Sequence, residues 1–406
     1  MTDAPAPPPG APAAPAPAVP PGAPTVWYPP APKPAPFAEG QGVPYHRLLR
    51  AQPGYRWWKP LLALGVAALY VLVASLLLTV VLLVVGVAIG AVPFDVDEGL
   101  VAFQAWVTGL TEPDIADPFQ FVFLVLSVAI WLPCVPLAML TVGLRPVGFV
   151  HSVVGRLRAR VLAPFLALSL LVGGLIMLSV LVPAWIAGEP IEVTTPGGTL
   201  AVLVVLVVLL TPFQAAAEEY VFRGLLFQIF GSWLRWMPLA VVVPTGLFIA
   251  GHSYDWWGLA DVGLFGLAAC YLVWRTGGLE AGIAWHSVNN IVSFLILASG
   301  ISGTTSLQSS TGAGVGEHLI SLGLSVLTTG VFLGGAELIV RRTRLVRTRP
   351  YVAPPAPVPW AWGPRGWEPA PWLVPGAEGA ATAAAGSEAY GTPDDGAGPG
   401  APRPLG

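Results

Sequence analysis

Few side chains in this chain have chemical capacity, and the densest group of them falls in an apolar setting. Glu218, Glu219 and Arg223 follow one of the most apolar runs in the sequence, Leu200 to Leu210. A carboxylate or guanidinium near a bilayer centre costs roughly 2.5–3.5 kcal/mol on insertion scales, so such groups have a partner and a task. On a helix, Glu219 and Arg223 stand at i, i+4, acid before base, and neutralise one another. Glu218 points about 100° away and is left over as the reactive group.

Further polar side chains occur where apolar helices do not need them: His252 after Phe248, then His286, Asn289 and Asn290. His286 and Asn290 are at i, i+4 and share a face; Asn289 faces away and is expected to be structural. Counted from the inner helix ends, Glu218, His252 and His286 lie roughly 10–22 Å deep and can share one layer. Together they permit water activation. A carboxylate in an apolar setting holds its proton more tightly and serves as a general base near neutral pH. A histidine can hold the same water, and His286 with Asn290 can stabilise an oxyanion. Such parts can hydrolyse a peptide bond within a bilayer without a cofactor. Zinc is the alternative, with Glu218, His252 and His286 as three ligands and water as the fourth; the HExxH pair that commonly builds such a site is absent. Neither a GxSxG nor a GxGD motif occurs; Asp261 follows Gly258-Leu259-Ala260.

The order and spacing of Glu218-Glu219-x-x-x-Arg223, Phe248-x-x-x-His252 and His286-x-x-x-Asn290 resemble the three motifs of the CPBP family of CAAX proteases and bacteriocin-processing proteins. That resemblance spans 198–300, about a quarter of the chain. It implies an integral membrane endopeptidase in which Glu218 activates water and Glu219 and Arg223 give structural support. It further implies that His252 shares the water and that His286 and Asn290 form the oxyanion pair. Bacterial members are associated with bacteriocin processing and self-immunity. A second class of function, a non-catalytic membrane scaffold or immunity protein or a proton-coupled transporter, uses the same charged layer to bind a proton or a partner helix. No inverted repeat relates the two halves, which weighs against a transporter.

The elements that position these residues follow from composition. The 406 residues are 55% hydrophobic and 10% charged, with a mean hydropathy of +0.71, too apolar for a water-soluble domain with one core. Apolar stretches at about 61–91, 119–144, 161–185, 198–230, 237–255, 259–275, 279–298 and 317–340 predict an all-α bundle of eight transmembrane helices, 57–343, with its catalytic core at 198–300. The sixth is the shortest and most interrupted. Pro212 is expected to kink the fourth, where Ala215 to Ala217 allow close approach. The basic residues from Lys33 to Lys59, Arg145 to Arg160, Arg235, Arg275 and Arg341 to Arg349 fall in alternate connections. The connections between them hold Asp and Glu, from Asp95 to Glu317, without one Lys or Arg. By the positive-inside rule both termini are cytoplasmic, in a plasma-membrane protein. Glu280 and Glu337 lie near inner helix ends, where snorkelling to water is expected. Arg145 to Arg160 reads as a basic amphipathic stretch on the inner surface, with His151 as an interfacial polar residue.

Residues 1–56 and 344–406 are rich in Pro, Ala and Gly and are expected to be disordered cytoplasmic tails. Tyr55, Trp57 and Trp58 read as an interfacial belt. No signal peptide is expected, since the first apolar run is too long for one. Cys134 and Cys270 fall within spans, so no disulfide is expected. Arginine outnumbers lysine 17 to 2 and Ala, Gly and Pro abound, as in GC-rich bacterial genomes. The expected partners are the bilayer and a peptide or protein substrate, with no nucleic acid. The sequence ends Arg403-Pro404-Leu405-Gly406, which is not a prenylation motif.

Overall fold

The computed structural model describes residues 26–27, 35–93, 99–110, 112–188, 191–305, 314–354, 360–363 and 366–369. Its helices are α1 (Lys59–Ala88), α2 (Gly99–Gly109), α3 (Pro118–Ala129), α4 (Cys134–Val142), α5 (Ala159–Ala187), α6 (Gly197–Glu218), α7 (Phe227–Trp233), α8 (Met237–Ala250), α9 (Trp256–Thr276), α10 (Glu280–Ser299) and α11 (Val315–Arg342). Among the described residues there are five short strands: β1 (Val26–Trp27), β2 (Gly42–Pro44), β3 (Thr348–Pro350), β4 (Trp360–Gly363) and β5 (Gly366–Pro369). The chain divides into two units. One comprises 1–35 and 354–406, in which β1 pairs with β4 and β4 with β5, all antiparallel. The other, Pro36 to Ala353, is the helical bundle.

Among the described residues, seven segments are long and apolar enough to cross a membrane: α1, α3 with α4, α5, α6 through α7, α9, α10 and α11. The predicted fifth span, 237–255, is shorter than expected. Its helix, α8, has 14 residues and stops at Ala250, about 21 Å against a hydrocarbon core of about 30 Å. Asp255 ends the non-helical stretch by capping α9, its carboxylate accepting from Gly258 N at 2.8 Å. The interrupted sixth stretch, by contrast, forms a continuous 21-residue helix.

β2 and β3 pair antiparallel, Gly42 with Pro350, which brings the segment before α1 beside the segment after α11. Ends that meet on one face require an even number of traverses. Seven spans do not give an even number, and α8 with the non-helical residues 251–255 is the remaining apolar stretch of the eight expected from the sequence. Irregular backbone at membrane depth is tolerated where it is enclosed by protein or lines a wet cavity, and this stretch carries His252.

The folded unit also begins earlier than residue 57. Tyr45–Ala51 is a 3-10 helix whose Tyr45, Leu48 and Leu49 are fully buried, in one core with Val150, Tyr220 and Phe227. It packs so closely on α7 that a Cβ at Gly231 would collide with the His46 carbonyl. At the other end Tyr351 is buried against the same core. The disordered tails expected at 1–56 and 344–406 therefore do not include 36–56 and 344–353; 1–25, 28–34 and 370–406 lie outside the described residues.

His46 is buried and its ring stacks on Phe227 at 5.4 Å. Burial, then the neighbouring Arg47 charge, lowers its pKa from 6.5 to about 4. The unfolded chain takes up this proton near pH 6.5 while the folded chain does not, so stability is lost as pH falls from there towards 4. The wild type should lose about 2 kcal/mol between pH 7 and pH 5 that a His46→Gln variant does not. Thermal unfolding in detergent at the two pH values measures it.

α10 sits at the centre: half of its most apolar window is buried, against 11% for α1. At its N-terminal end Glu280 does not snorkel. It is fully buried, and Arg158 Nε and Nη2 donate to its two carboxylate oxygens at 2.8 Å each. Arg158 Nη1 also donates to Val346 O at 2.8 Å and Nη2 to Thr276 O at 3.1 Å. Arg158 thus turns inward from its basic stretch and ties together the ends of α5, α9, α10 and α11. Glu337 behaves as expected of a helix-end acid, being part-exposed and bound to Arg275 at 2.8 Å and Arg341 at 2.9 Å.

Candidate active site

α6 changes form where its charges begin. Glu219–Leu226 is a π-helical segment, continuous with α6 before it and α7 after it. Such wide turns are uncommon and recur at functional sites. Here the widening sets Glu218 and Glu219 on either side of one imidazole, that of His286 on α10.

Glu219 is fully buried and its Oε1 accepts twice, from Arg223 Nη1 at 3.1 Å and from His286 Nδ1 at 2.9 Å. Gly282, one turn before His286, makes the approach possible, because a Cβ there would lie 2.7 Å from Glu219 Oε2. Arg223 is itself enclosed. Its guanidinium lies over Phe248 at 4.3 Å and Phe265 at 5.7 Å, and donates to Gly266 O at 3.4 Å. This is the ion pair expected from the i, i+4 spacing, with an imidazole added.

Glu218 is buried on the other side of His286, whose Nε2 is 3.5 Å from Glu218 Oε2. Its Oε1 accepts from Gln214 Nε2 at 2.6 Å, and Gln214 Oε1 accepts from Asn290 Nδ2 at 3.1 Å. Asn289 Nδ2 lies 3.4 Å from Asn290 Oδ1 and so braces the amide. Two helices, α6 with its π segment and α10, are thereby joined by one chain of polar contacts from Asn290 to Arg223. Its only buried carboxylate oxygens without a hydrogen-bond partner among the described residues are Glu218 Oε2 and Glu219 Oε2.

Residues 198–292 match the model of a family described as type II CAAX prenyl endopeptidase Rce1-like. Over that segment the chain is similar to the Rce1-like family. An uncharacterized protein of Bacillus subtilis (strain 168), YyaK, is 31% identical over 91 residues, which are 20% of this chain and 30% of that protein. The chain thus spans less than a third of the length of the relative it matches. No solved structure matches it.

All members of the polar chain, Gln214 to Asn290, fall inside the Rce1-like segment; the buried Arg158 falls outside it. His252 is also in the segment but joins the cluster differently. Its Nδ1 is 2.8 Å from Phe248 O, and since a carbonyl only accepts, Nδ1 carries the proton and Nε2 is left as an acceptor. Its ring packs edge-on against Phe248 at 4.8 Å, and Phe248 in turn packs against His286 at 6.1 Å. Among the described residues no hydrogen bond or ion pair joins His252 to Glu218. Nor do three His, Cys, Asp or Glu side chains stand together as a possible metal site among them.

Gln214 was not singled out from the sequence, although the signal was there: it stands four residues before Glu218, one turn away on the same face of an apolar helix. A second contact of the Rce1-like segment was equally unmarked. Tyr220, next to Glu219, holds His151 Nδ1 with its hydroxyl at 2.5 Å, so His151 is a bonded partner of the π segment.

Proposed function

We propose that this protein is an intramembrane endopeptidase that hydrolyses a peptide bond with a water activated by Glu218. The observation that carries the reading is the unequal treatment of two adjacent carboxylates. Glu219 is neutralised by Arg223 and held by His286, which suits a structural role. Glu218 has no arginine partner among the described residues: one oxygen is fixed by the neutral Gln214 amide, and the other is buried, 3.5 Å from His286 Nε2 and without a hydrogen bond. An oxygen so placed accepts a proton from water as the water oxygen attacks the peptide carbonyl. A C–O bond forms, and the same carboxyl passes its proton to the leaving nitrogen as the C–N bond breaks. His252, with Nε2 as acceptor, orients the water. Asn290, through its second amide hydrogen, supplies a donor to the oxyanion, and His286, bound to Glu219 through Nδ1, does so through Nε2 in its doubly protonated form.

The mechanism uses no cofactor, and the substrate is a membrane-associated peptide or one presented from the cytoplasmic side. By the positive-inside rule, the distribution of arginine supports a cytoplasmic side for the face where β2 meets β3. Cleavage of a membrane-reconstituted peptide should therefore persist in a zinc chelator and be lost in His252→Ala. Loss of activity in the chelator, restored by zinc, would replace the glutamate-water mechanism with a metal-assisted one.

Gln214 offers a finer test of the geometry. Gln214→Leu leaves Glu218 Oε1 and Asn290 Nδ2 unpaired and frees the carboxylate to rotate. Misplacement of a reacting group by about 1 Å costs about 100-fold in rate, so kcat should fall by about 10- to 100-fold with KM little changed. Steady-state kinetics beside an unfolding curve measures this.

A further inference from the structure

The arginines at the inner ends of α1, α7 and α8 take no part in the chemistry above, yet they are arranged. Arg47 and Arg50 stand three residues apart on the 3-10 helix Tyr45–Ala51, a spacing at which side chains eclipse and leave from one edge. Arg50 Nη1 donates to Ser232 O at 3.1 Å, Tyr55 Oη to Ser232 Oγ at 3.2 Å and Trp233 Nε1 to Trp57 O at 3.1 Å. These bonds lace the segment before α1 to the turn after α7, and that turn carries Arg235.

Arg50 and Arg235 lie near enough to Arg47 for their charges to act on it. Among the described residues no carboxylate pairs with any of the three, whereas Arg158, Arg223, Arg275 and Arg341 each have an ion pair. Arg47 shows the consequence: burial lowers its pKa first, and the charges of Arg50 and Arg235 lower it further. Its Nε is buried without a hydrogen-bond partner, and its guanidinium lies over Phe37 at 5.2 Å. Like charges gathered in this way favour an anion, and guanidinium groups match the oxygens of a phosphate. The surroundings point to where that anion comes from. Trp57 and Trp236, each 69% exposed, and Trp58, 45% exposed, flank the cluster. Exposed tryptophans of this kind mark the headgroup level of a bilayer.

We propose that Arg47, Arg50 and Arg235 form a binding site for the phosphate of an anionic phospholipid headgroup on the inner leaflet. The site is separate from Glu218 and does not depend on the proposed peptidase activity. Three arginines near a membrane surface together correspond to about 100-fold in affinity for an anionic over a zwitterionic lipid.

Purified protein in detergent, titrated with short-chain phosphatidylglycerol or phosphatidylcholine and read by native mass spectrometry, tests it. The wild type should retain phosphatidylglycerol about 100-fold more tightly than phosphatidylcholine. The Arg47→Gln/Arg50→Gln/Arg235→Gln variant should lose that preference, and Arg56→Gln, an exposed arginine outside the cluster, should keep it. Arg50 also holds Ser232, so Arg235→Gln alone, at an exposed position, is the safeguard against misfolding and should weaken the preference several-fold. Equal retention of the two lipids by the wild type, or an unchanged preference in a folded Arg235→Gln or triple variant, would overturn the proposal. Displacement of the lipid by millimolar inorganic phosphate would overturn the headgroup assignment in favour of a free anion.

Discussion

Replacing Glu280 by glutamine is expected to destabilise the protein by about 3–5 kcal/mol, the usual cost of breaking a buried ion pair from one side. The fully buried carboxylate receives three donors from Arg158 alone, Nε, Nη2 and the backbone N–H. Without the charge of Glu280, the guanidinium remains buried beside Thr276 O and Val346 O with nothing to neutralise it. Since whole domains are stable by about 5–15 kcal/mol, the loss is a large part of the total. Thermal unfolding in detergent measures it. An Arg158→Met/Glu280→Leu double variant should regain much of the loss, because apolar side chains of similar size replace buried pairs at little cost. A Glu280→Gln variant that unfolds at the wild-type midpoint would show that the ends of α5, α9 and α10 joined by Arg158 are held by something else.

Glu218→Gln should have the largest effect on activity, a loss of about 10²- to 10⁴-fold in kcat, the range in which a general base contributes. The substitution keeps the shape of the side chain and leaves Oε1 for the Gln214 amide, but the new amide nitrogen cannot take a proton. Folding should be unchanged or slightly improved, since a neutral amide costs less to bury than a carboxylate. The combination of a normal unfolding curve and lost cleavage separates a reactive role for Glu218 from a structural one.

The cluster was legible in the sequence because polar side chains are conspicuous in apolar helices. Glu218, Glu219, Arg223, His252, His286 and Asn290 each break a run of aliphatic residues, and the i, i+4 spacings of Glu219 with Arg223 and of His286 with Asn290 could be read directly. Gln214 breaks such a run too, but an uncharged amide is a weaker signal than a charge. The Arg158–Glu280 pair could not be read, since its partners are 122 residues apart and each has a sufficient local explanation at a helix end. The same applies to Tyr45, Leu48 and Leu49. They are short apolar pieces in a Pro-rich region, and the residues that bury them, Val150 and Phe227 among them, lie far along the chain. The end of α8 was hidden by composition. Aromatic residues from Tyr254 to Trp257 continue the apolar count past Ala250, although Asp255 carries the signature of a helix cap for α9.

The most direct measurement of the central claim is the analysis of reaction products. A broad library of membrane-reconstituted peptides is incubated with wild type and with Glu218→Gln, and new chain ends are identified by mass spectrometry. A glutamate-dependent peptidase predicts new N- and C-termini with the wild type and none with the variant. No cleavage by a folded wild type across the library, or equal cleavage by both, would contradict it, the first outcome favouring a non-catalytic membrane scaffold.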